Sequence, residues 1–211
     1  MKPSPSAPAK AIPTSPTTMT PKTSLTSQHE FILILTGLTE LTPPIMDALF
    51  QAGCDDATAT LRLGRVFLTF ARKSPSLREA ILSAIRNVKQ AGIGAGVLCV
   101  NDSNLVSQAG IARRINRTRQ LVGQYVSAKR GPGNFPAPSC DLSEGHPLWQ
   151  WCEVSSWLWQ NGIVGDHVLN ESRVVAAINS VLEYLHQRGR DASLVDEVFQ
   201  IIEAPSPTFS P

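Results

Sequence analysis

The sequence contains no run approaching 18 apolar residues, so no segment has the length and hydropathy of a membrane span. Its opening residues carry three Lys but no apolar core, which argues against a secretory signal, and they lack the Arg-rich amphipathic pattern of a transit peptide. The four cysteines, Cys54, Cys99, Cys140 and Cys152, show no Cys-x-x-Cys spacing. Cys54 and Cys99 sit among apolar residues and read as buried thiols, and Cys140, His146 and Cys152 have the spacing of no closed structural zinc site. Cysteine usage of this kind points to a reducing cytoplasm. There is also no phosphate-binding loop, no nucleophile elbow and no His-x-x-x-His. His29, His146, His167 and His186 are scattered, and the neighbours Asp166 and His167 lack an evident nucleophile. The expectation is a protein that is not an enzyme and uses neither metal nor cofactor.

What the chain does have is unevenly spread. Of its 16 Pro, six fall in residues 1–28 beside five Ser and six Thr, and three more fall in residues 204–211. Both ends bury too little surface to offset chain entropy and are expected to be disordered tails. The remaining length suits two small domains better than one large one. The net charge of +2 conceals a segregation: residues 1–28 carry +3, residues 29–100 carry +1, residues 101–138 carry +5 and residues 139–211 carry −7. A local +5 in so short a stretch attracts a polyanion, although a solvated basic helix face gives the same count.

Residues 29–101 read as the first folded unit. Phe31–Leu35 is a continuous apolar run with strand length, ended by Thr36-Gly37. Thr42-Pro43-Pro44 starts a helix that Gly53 stops. Leu63-Gly64 joins strands Ala57–Leu61 and Arg65–Phe70 in a hairpin. Ser76 caps a helix with a Leu77, Ile81, Ala84, Ile85, Val88 stripe, and Val97–Val100 is a fourth strand. The order, strand–helix–strand–strand–helix–strand, is the ferredoxin-like βαββαβ plan. That plan hosts RNA-recognition modules, but here Phe67 alone offers a base a stacking surface, with Arg65 and Leu33 where aromatics are wanted. Asp55-Asp56 has no third ligand nearby and reads as a loop pair.

Residues 102–162 carry the sharper signal. Ser107–Ile115 reads as a short helix, Asn116-Arg117-Thr118 as its interruption, and Arg119–Ala128 as a second helix capped by Thr118. A helix-turn-helix needs a small residue where its helices touch, a residue tolerant of positive φ four positions on, and a branched apolar residue six beyond that. Ala112, Asn116 and Val122 stand at those places. Lys129-Arg-Gly-Pro-Gly-Asn-Phe-Pro-Ala-Pro138 follows, then Pro147-Leu-Trp-Gln-Trp-Cys-Glu-Val-Ser-Ser-Trp-Leu158. On residues 105–159 the chain resembles winged helix-turn-helix proteins of the MerR and excisionase (AlpA-like) type. Within that group it is closer to small bacterial proteins with an Arg-Gly-Pro-Gly-x-Phe-Pro-x-Pro run after the recognition helix. The resemblance implies a Phe-Pro-x-Pro strand, a wing tip at residues 139–146, and a recognition helix Thr118–Ala128 in the major groove of double-stranded DNA. Arg117, Arg119, Gln120 and Gln124 are the matching polar positions for base edges, and Thr118 and Lys129 those for phosphate. Gly123 and Arg130 complete the candidate set, Gly123 through close approach to the groove. Asp141 and Glu144 make the wing acidic, a departure from the pattern that sets it against a phosphate backbone. Trp149 and Trp151 on one strand face, and Val154, Trp157 and Leu158 on a helix, supply the small core.

Residues 163–203 read as a helical hairpin. Glu171–Arg188 shows a stripe through Val174, Ile178 and Leu182 and ends at Gly189, and Asp191 caps Ala192–Glu203. Such a pair packs on its own chain or on a second one, so a homodimer is a candidate assembly, with the sheet an equal candidate for the contact. The fold expected is therefore α+β: a ferredoxin-like domain, a winged helix-turn-helix and a helical hairpin. The function expected is sequence-specific DNA binding, as a transcriptional regulator or a phage- or plasmid-type accessory factor. A protein-interaction adaptor without nucleic acid, and RNA binding through the sheet, are the alternatives.

Overall fold

A computed structural model describes residues 26–101, 104–140 and 145–203. The two expected tails lie outside these residues except at 26–28, as do Asp102 and two acidic residues of the expected wing, Asp141 and Glu144. The chain is a mixed α+β protein with a four-stranded antiparallel sheet and seven helices among the described residues.

The first unit runs β1 (Ser27–Thr36), α1 (Pro43–Gln51), β2 (Ala57–Arg62), β3 (Arg65–Ser74), α2 (Leu77–Gln90) and β4 (Gly96–Val100), with strand order β2-β3-β1-β4. Ser27 and Gln28, expected in the N-terminal tail, belong instead to β1: they pair with Ser74 and Lys73 and lengthen both central strands. Leu63 (φ 48°) and Gly64 (φ 73°) make the tight hairpin turn, two consecutive left-handed residues whose twist matches the strands they join. Ser76 caps α2 by accepting from the Glu79 amide at 3.2 Å. Alternate residues of the central strands form the core: Phe31, Leu33 and Leu35 of β1 and Val66, Leu68 and Phe70 of β3 are buried with Leu49, Ile81, Ala84 and Val88 of the helices. Phe31 and Phe70 are register partners and stack at 5.0 Å. On the other face Arg65 and Thr69 are exposed and Phe67 is half-buried.

The same alternation brings Arg72 inward, where it is 8% exposed. All five of its N–H groups have acceptors. Nε and Nη2 donate to the two oxygens of Asp56, each at 2.8 Å, Nη2 also to the Gly53 carbonyl, and Nη1 to Ser83 Oγ and Asn87 Oδ1. The hydrogen-bonded Asp56 carboxylate raises the Arg72 pKa further. Asp56 is thus more than a loop residue: it neutralises a buried guanidinium that ties the α1–β2 connection to α2. Beside this cluster, burial pushes the Cys54 thiol up to about 11.

The second unit comprises β5 (Leu105–Val106), α3 (Gln108–Arg114), α4 (Arg119–Val126), β6 (Trp149–Gln150) and α5 (Trp151–Gln160). β6 pairs with β5, a strand ahead of α3 that local pattern does not announce. The expected Phe-Pro-x-Pro strand is absent, since Pro136 and Pro138 have no N–H for a ladder; only Cys140 bridges to Leu148. Trp149 and Trp151 do not share a strand face: Trp149 is fully buried in β6, whereas Trp151 opens α5. Val154, Trp157 and Leu158 form the expected helix stripe and pack with Val106, Ile111, Ala112 and Val122.

α6 (Asp166–Arg190) is longer than Glu171–Arg188. It begins earlier because Val168 and buried Leu169 extend the stripe, and it passes through Gly189, which sits in open space. It is followed by α7 (Ala192–Glu203), with Asp191 Oδ1 accepting from the Leu194 amide at 3.0 Å. α6 touches both cores. Ser172 meets Ser155 of α5 in a buried 2.6 Å hydrogen bond, and Val174, Val175, Ile178 and Leu182 pack against the sheet unit. Asn179 closes the β4 edge: Oδ1 accepts from the Val100 amide at 2.7 Å and Nδ2 donates to the Val100 carbonyl at 3.0 Å.

Asp56→Ala strands a buried guanidinium, so we expect it to lower unfolding free energy in urea by about 3 kcal/mol. The double replacement Arg72→Met with Asp56→Leu should cost less than half of that, since it removes both charges together. A single-variant loss under about 1 kcal/mol contradicts a structural role for the pair.

Candidate nucleic-acid interface

α3 and α4 meet through small and apolar side chains. Ser107 caps α3 by accepting from the Gly110 amide at 3.2 Å, and Thr118 caps α4 by accepting from the Leu121 amide at 3.2 Å. Between them Asn116 takes φ 51°, the left-handed conformation expected there. The Arg117 amide then reaches back to the Ala112 carbonyl at 2.9 Å, which ends α3 and redirects the chain. Ile111, Ala112 and Val122 are buried at the contact.

This packing sets the outward face of α4. Arg119 and Gln120 are exposed, Gly123 and Gln124 are half-buried, and they follow the i, i+1, i+4, i+5 spacing of one helix face opposite Val122. Helix α4 is shorter than the expected Thr118–Ala128. It stops at Val126 because Ala128 turns to φ 53°, and Ser127 Oγ instead bonds the Gly123 carbonyl at 2.8 Å. Lys129 and Arg130 are exposed beyond it, and the Arg130 amide donates to the Gln124 carbonyl at 3.2 Å. Arg117 is exposed at the turn, its Nη1 on the Asn116 carbonyl at 3.2 Å. Among the described residues no acidic side chain pairs with Arg113, Arg117, Arg119, Lys129 or Arg130. The structure therefore gathers all eight candidate positions on α4 and its two flanks, and the Thr118 hydroxyl, which accepts at the cap, keeps its O–H to donate.

The segment after α4 is held from inside by tryptophans. Trp157 Nε1 donates to the Gly133 carbonyl at 2.9 Å and Trp149 Nε1 to the Pro136 carbonyl at 2.9 Å. Phe135 lies edge-on to Trp157 at 5.0 Å, and Tyr125 of α4 lies against Trp157 at 5.3 Å. Gly131 (φ 85°) passes so near that a Cβ there would stand 3.3 Å from Tyr125 and 3.4 Å from Trp157. The indoles thus fix the path of the Arg-Gly-Pro-Gly run relative to α4, a role that hydrophobic pattern does not reveal. Two further contacts were not legible in the sequence. Arg114 lies over the Trp151 ring at 4.8 Å, and Arg119 shares a recess of about 400 Å³ with Ser107, Gln108 and His146. A polar patch beside the N-terminal turn of α4 results.

No group of three or more His, Cys, Asp and Glu among the described residues is placed to hold a metal ion, and no helix among them is long and apolar enough to cross a membrane.

Replacing Asn116 by Gly should be neutral or stabilising, whereas Asn116→Val should cost about 1–2 kcal/mol, because only a β-branched side chain opposes the left-handed turn strongly. Gly131→Ala, strained in φ and crowded by two rings, should lower stability by about 1–2 kcal/mol. Thermal melts read all three, and a tolerated Asn116→Val would contradict the turn geometry. Comparison with known protein families, curated proteins and solved structures finds no match to this chain.

Proposed function

We propose that this protein binds double-stranded DNA sequence-specifically, with α4 in the major groove, as a transcriptional regulator or a phage- or plasmid-type accessory factor. In this reading residues 102–162 are a winged helix-turn-helix and the βαββαβ unit is a ferredoxin-like domain that carries it. The observation that supports it most is the left-handed Asn116 between buried Ala112 and Val122, which leaves a polar helix face flanked by Arg117, Lys129 and Arg130, exposed and without an acidic partner among the described residues. A structural helical pair has no need for Arg and Gln on that face. DNA does, because guanine and adenine present paired acceptors and donors that Arg and Gln match.

Roles follow from position. Arg117, Arg119, Gln120 and Gln124 read base edges, Thr118, Lys129 and Arg130 contact phosphates on either side, and Gly123 lets the helix approach the groove. The absence of a side chain at Gly123 is not demanded by the fold, since an added Cβ would meet only Gln108 Oε1, at 3.9 Å. RNA binding through the sheet has weaker support: Phe67 is half-buried, and β1 places Ile32 and Ile34, not aromatics, on its face.

Binding to mixed-sequence duplex, followed by fluorescence anisotropy, should fall with salt at a log–log slope of about −4 to −5, the response of four to six phosphate contacts. Arg119→Ala should weaken binding to a selected site about tenfold or more, while Lys73→Ala on the sheet should leave it unchanged. No binding at low salt would sink the proposal. Gly123→Ala separates fold from function: we expect a gain of up to about 1 kcal/mol in stability together with weaker DNA binding.

A further inference from the structure

The C-terminal helices leave apolar surface uncovered. α7 buries none of its side chains. It is held to α6 by the Tyr184–Phe199 ring contact at 5.3 Å and the exposed Arg188–Asp196 pair at 3.3 Å. Ile201 and Ile202 are 68% and 75% exposed, and Leu194 and Val198 are exposed beside them. A 12-residue helix in this state has little to stabilise it alone. Along α2 and α6 runs a groove of about 590 Å³ lined by Leu82, Ile85, Ile178, Val181, Leu182 and Leu185. Val181 and Leu185 in it are 57% and 55% exposed.

We propose that these surfaces close on each other between two copies of the chain, α7 of each copy lying in the α2–α6 groove of the other. Three features fit a second copy. The first is area: the apolar residues left open on α6 and α7 present on the order of 600 Å², at the top of what a monomer tolerates and near the roughly 800 Å² per partner of a stable interface. The second is length. The α6 wall of the groove from Arg173 to Leu185 runs about 18 Å, and α7 is about 18 Å long. The third is charge. α7 carries Asp196, Glu197 and Glu203 and no cation, while the groove is flanked by Arg78 and Arg173, with Lys89 further along the same face of α2. Exchange of α7 is isologous, so one contact made twice closes the assembly and leaves neither α7 nor the groove open for further growth.

Sedimentation equilibrium of the full chain, without DNA, tests this apart from the DNA-binding reading. The wild type should be a dimer at micromolar concentration. Ile201→Asp with Ile202→Asp on α7, and Val181→Asp with Leu185→Asp in the groove, alter exposed positions; each pair should weaken the dimer by more than about tenfold, with unchanged circular dichroism. Mixing the two double variants is decisive: intact α7 of one meets the intact groove of the other, so a heterodimer should form where neither variant self-associates. A monomeric wild type would overturn the proposal and assign the surface to another protein or to residues 1–25. Unaffected variants, or a mixture that stays monomeric, would overturn it equally.

Discussion

The arrangement of the described residues depends on the side-chain amide of Asn179, which joins α6 to the edge of the sheet. β4 is the edge of its sheet, and the Val100 peptide there is buried under α6, out of reach of water. A buried peptide left unpaired costs free energy at both its donor and its acceptor. Asn179 answers both, one amide accepting from the N–H and donating to the carbonyl, as a neighbouring strand would. Few side chains can do this: an aspartate offers only acceptors, a leucine neither. Nδ2 also reaches Asn104 Oδ1 at 3.0 Å, so the segment leading into β5 is fixed at the same point. Because α6 meets α5 through Ser172, the same helix sets the angle between the sheet and the α3–α4 face.

That dependence explains which features could be read in advance. Local chemistry was legible wherever a residue's own backbone demand settled the matter. Asn116 and Gly64 were identified as turn residues because few others accept positive φ, and Ser76 and Thr118 as caps because their oxygens reach amides three residues on. The order of the first six elements followed from such punctuation. What remained hidden joins residues far apart: Arg72 to Asp56, Asn179 to Val100, Trp157 to Gly133. In sequence Arg72 looks like any strand cation, and only alternation from Phe70 points it inward. Helix ends were misread for a related reason, since packing of Leu169 outweighs the propensity signals near Glu171.

At the site the same division holds. All eight residues picked from the sequence do gather on or beside α4, because helix spacing is a local property. Their supports were invisible, since an indole that bonds a distant carbonyl looks like any core tryptophan in one dimension. The supports matter chemically. Five glycine or non-glycine residues between Ala128 and Asn134 would otherwise be free to wander, and four of the seven positions in that stretch are left-handed. Two indole hydrogen bonds and the Phe135 ring remove that freedom before any ligand arrives, which lowers the entropy cost of placing Lys129 and Arg130 against a partner.

Charge is also segregated between elements. Arg113, Arg117, Arg119, Lys129 and Arg130 stand in solvent without carboxylate partners among the described residues, while the acidic residues of the C-terminal third sit mostly on α6 and α7. If the two sets neutralised each other within one copy, the basic face would lose its attraction for a polyanion. Keeping them on separate elements preserves it, and Glu197 and Glu203 of α7 are then available to meet Arg78 and Arg173. A dimer built through α7 would therefore consume negative charge near cations that take no part in the α4 face. It would bring two copies of that face into one molecule and leave each of them fully charged, which, under the proposed DNA-binding reading, is the electrostatic condition for two faces to engage one duplex at once.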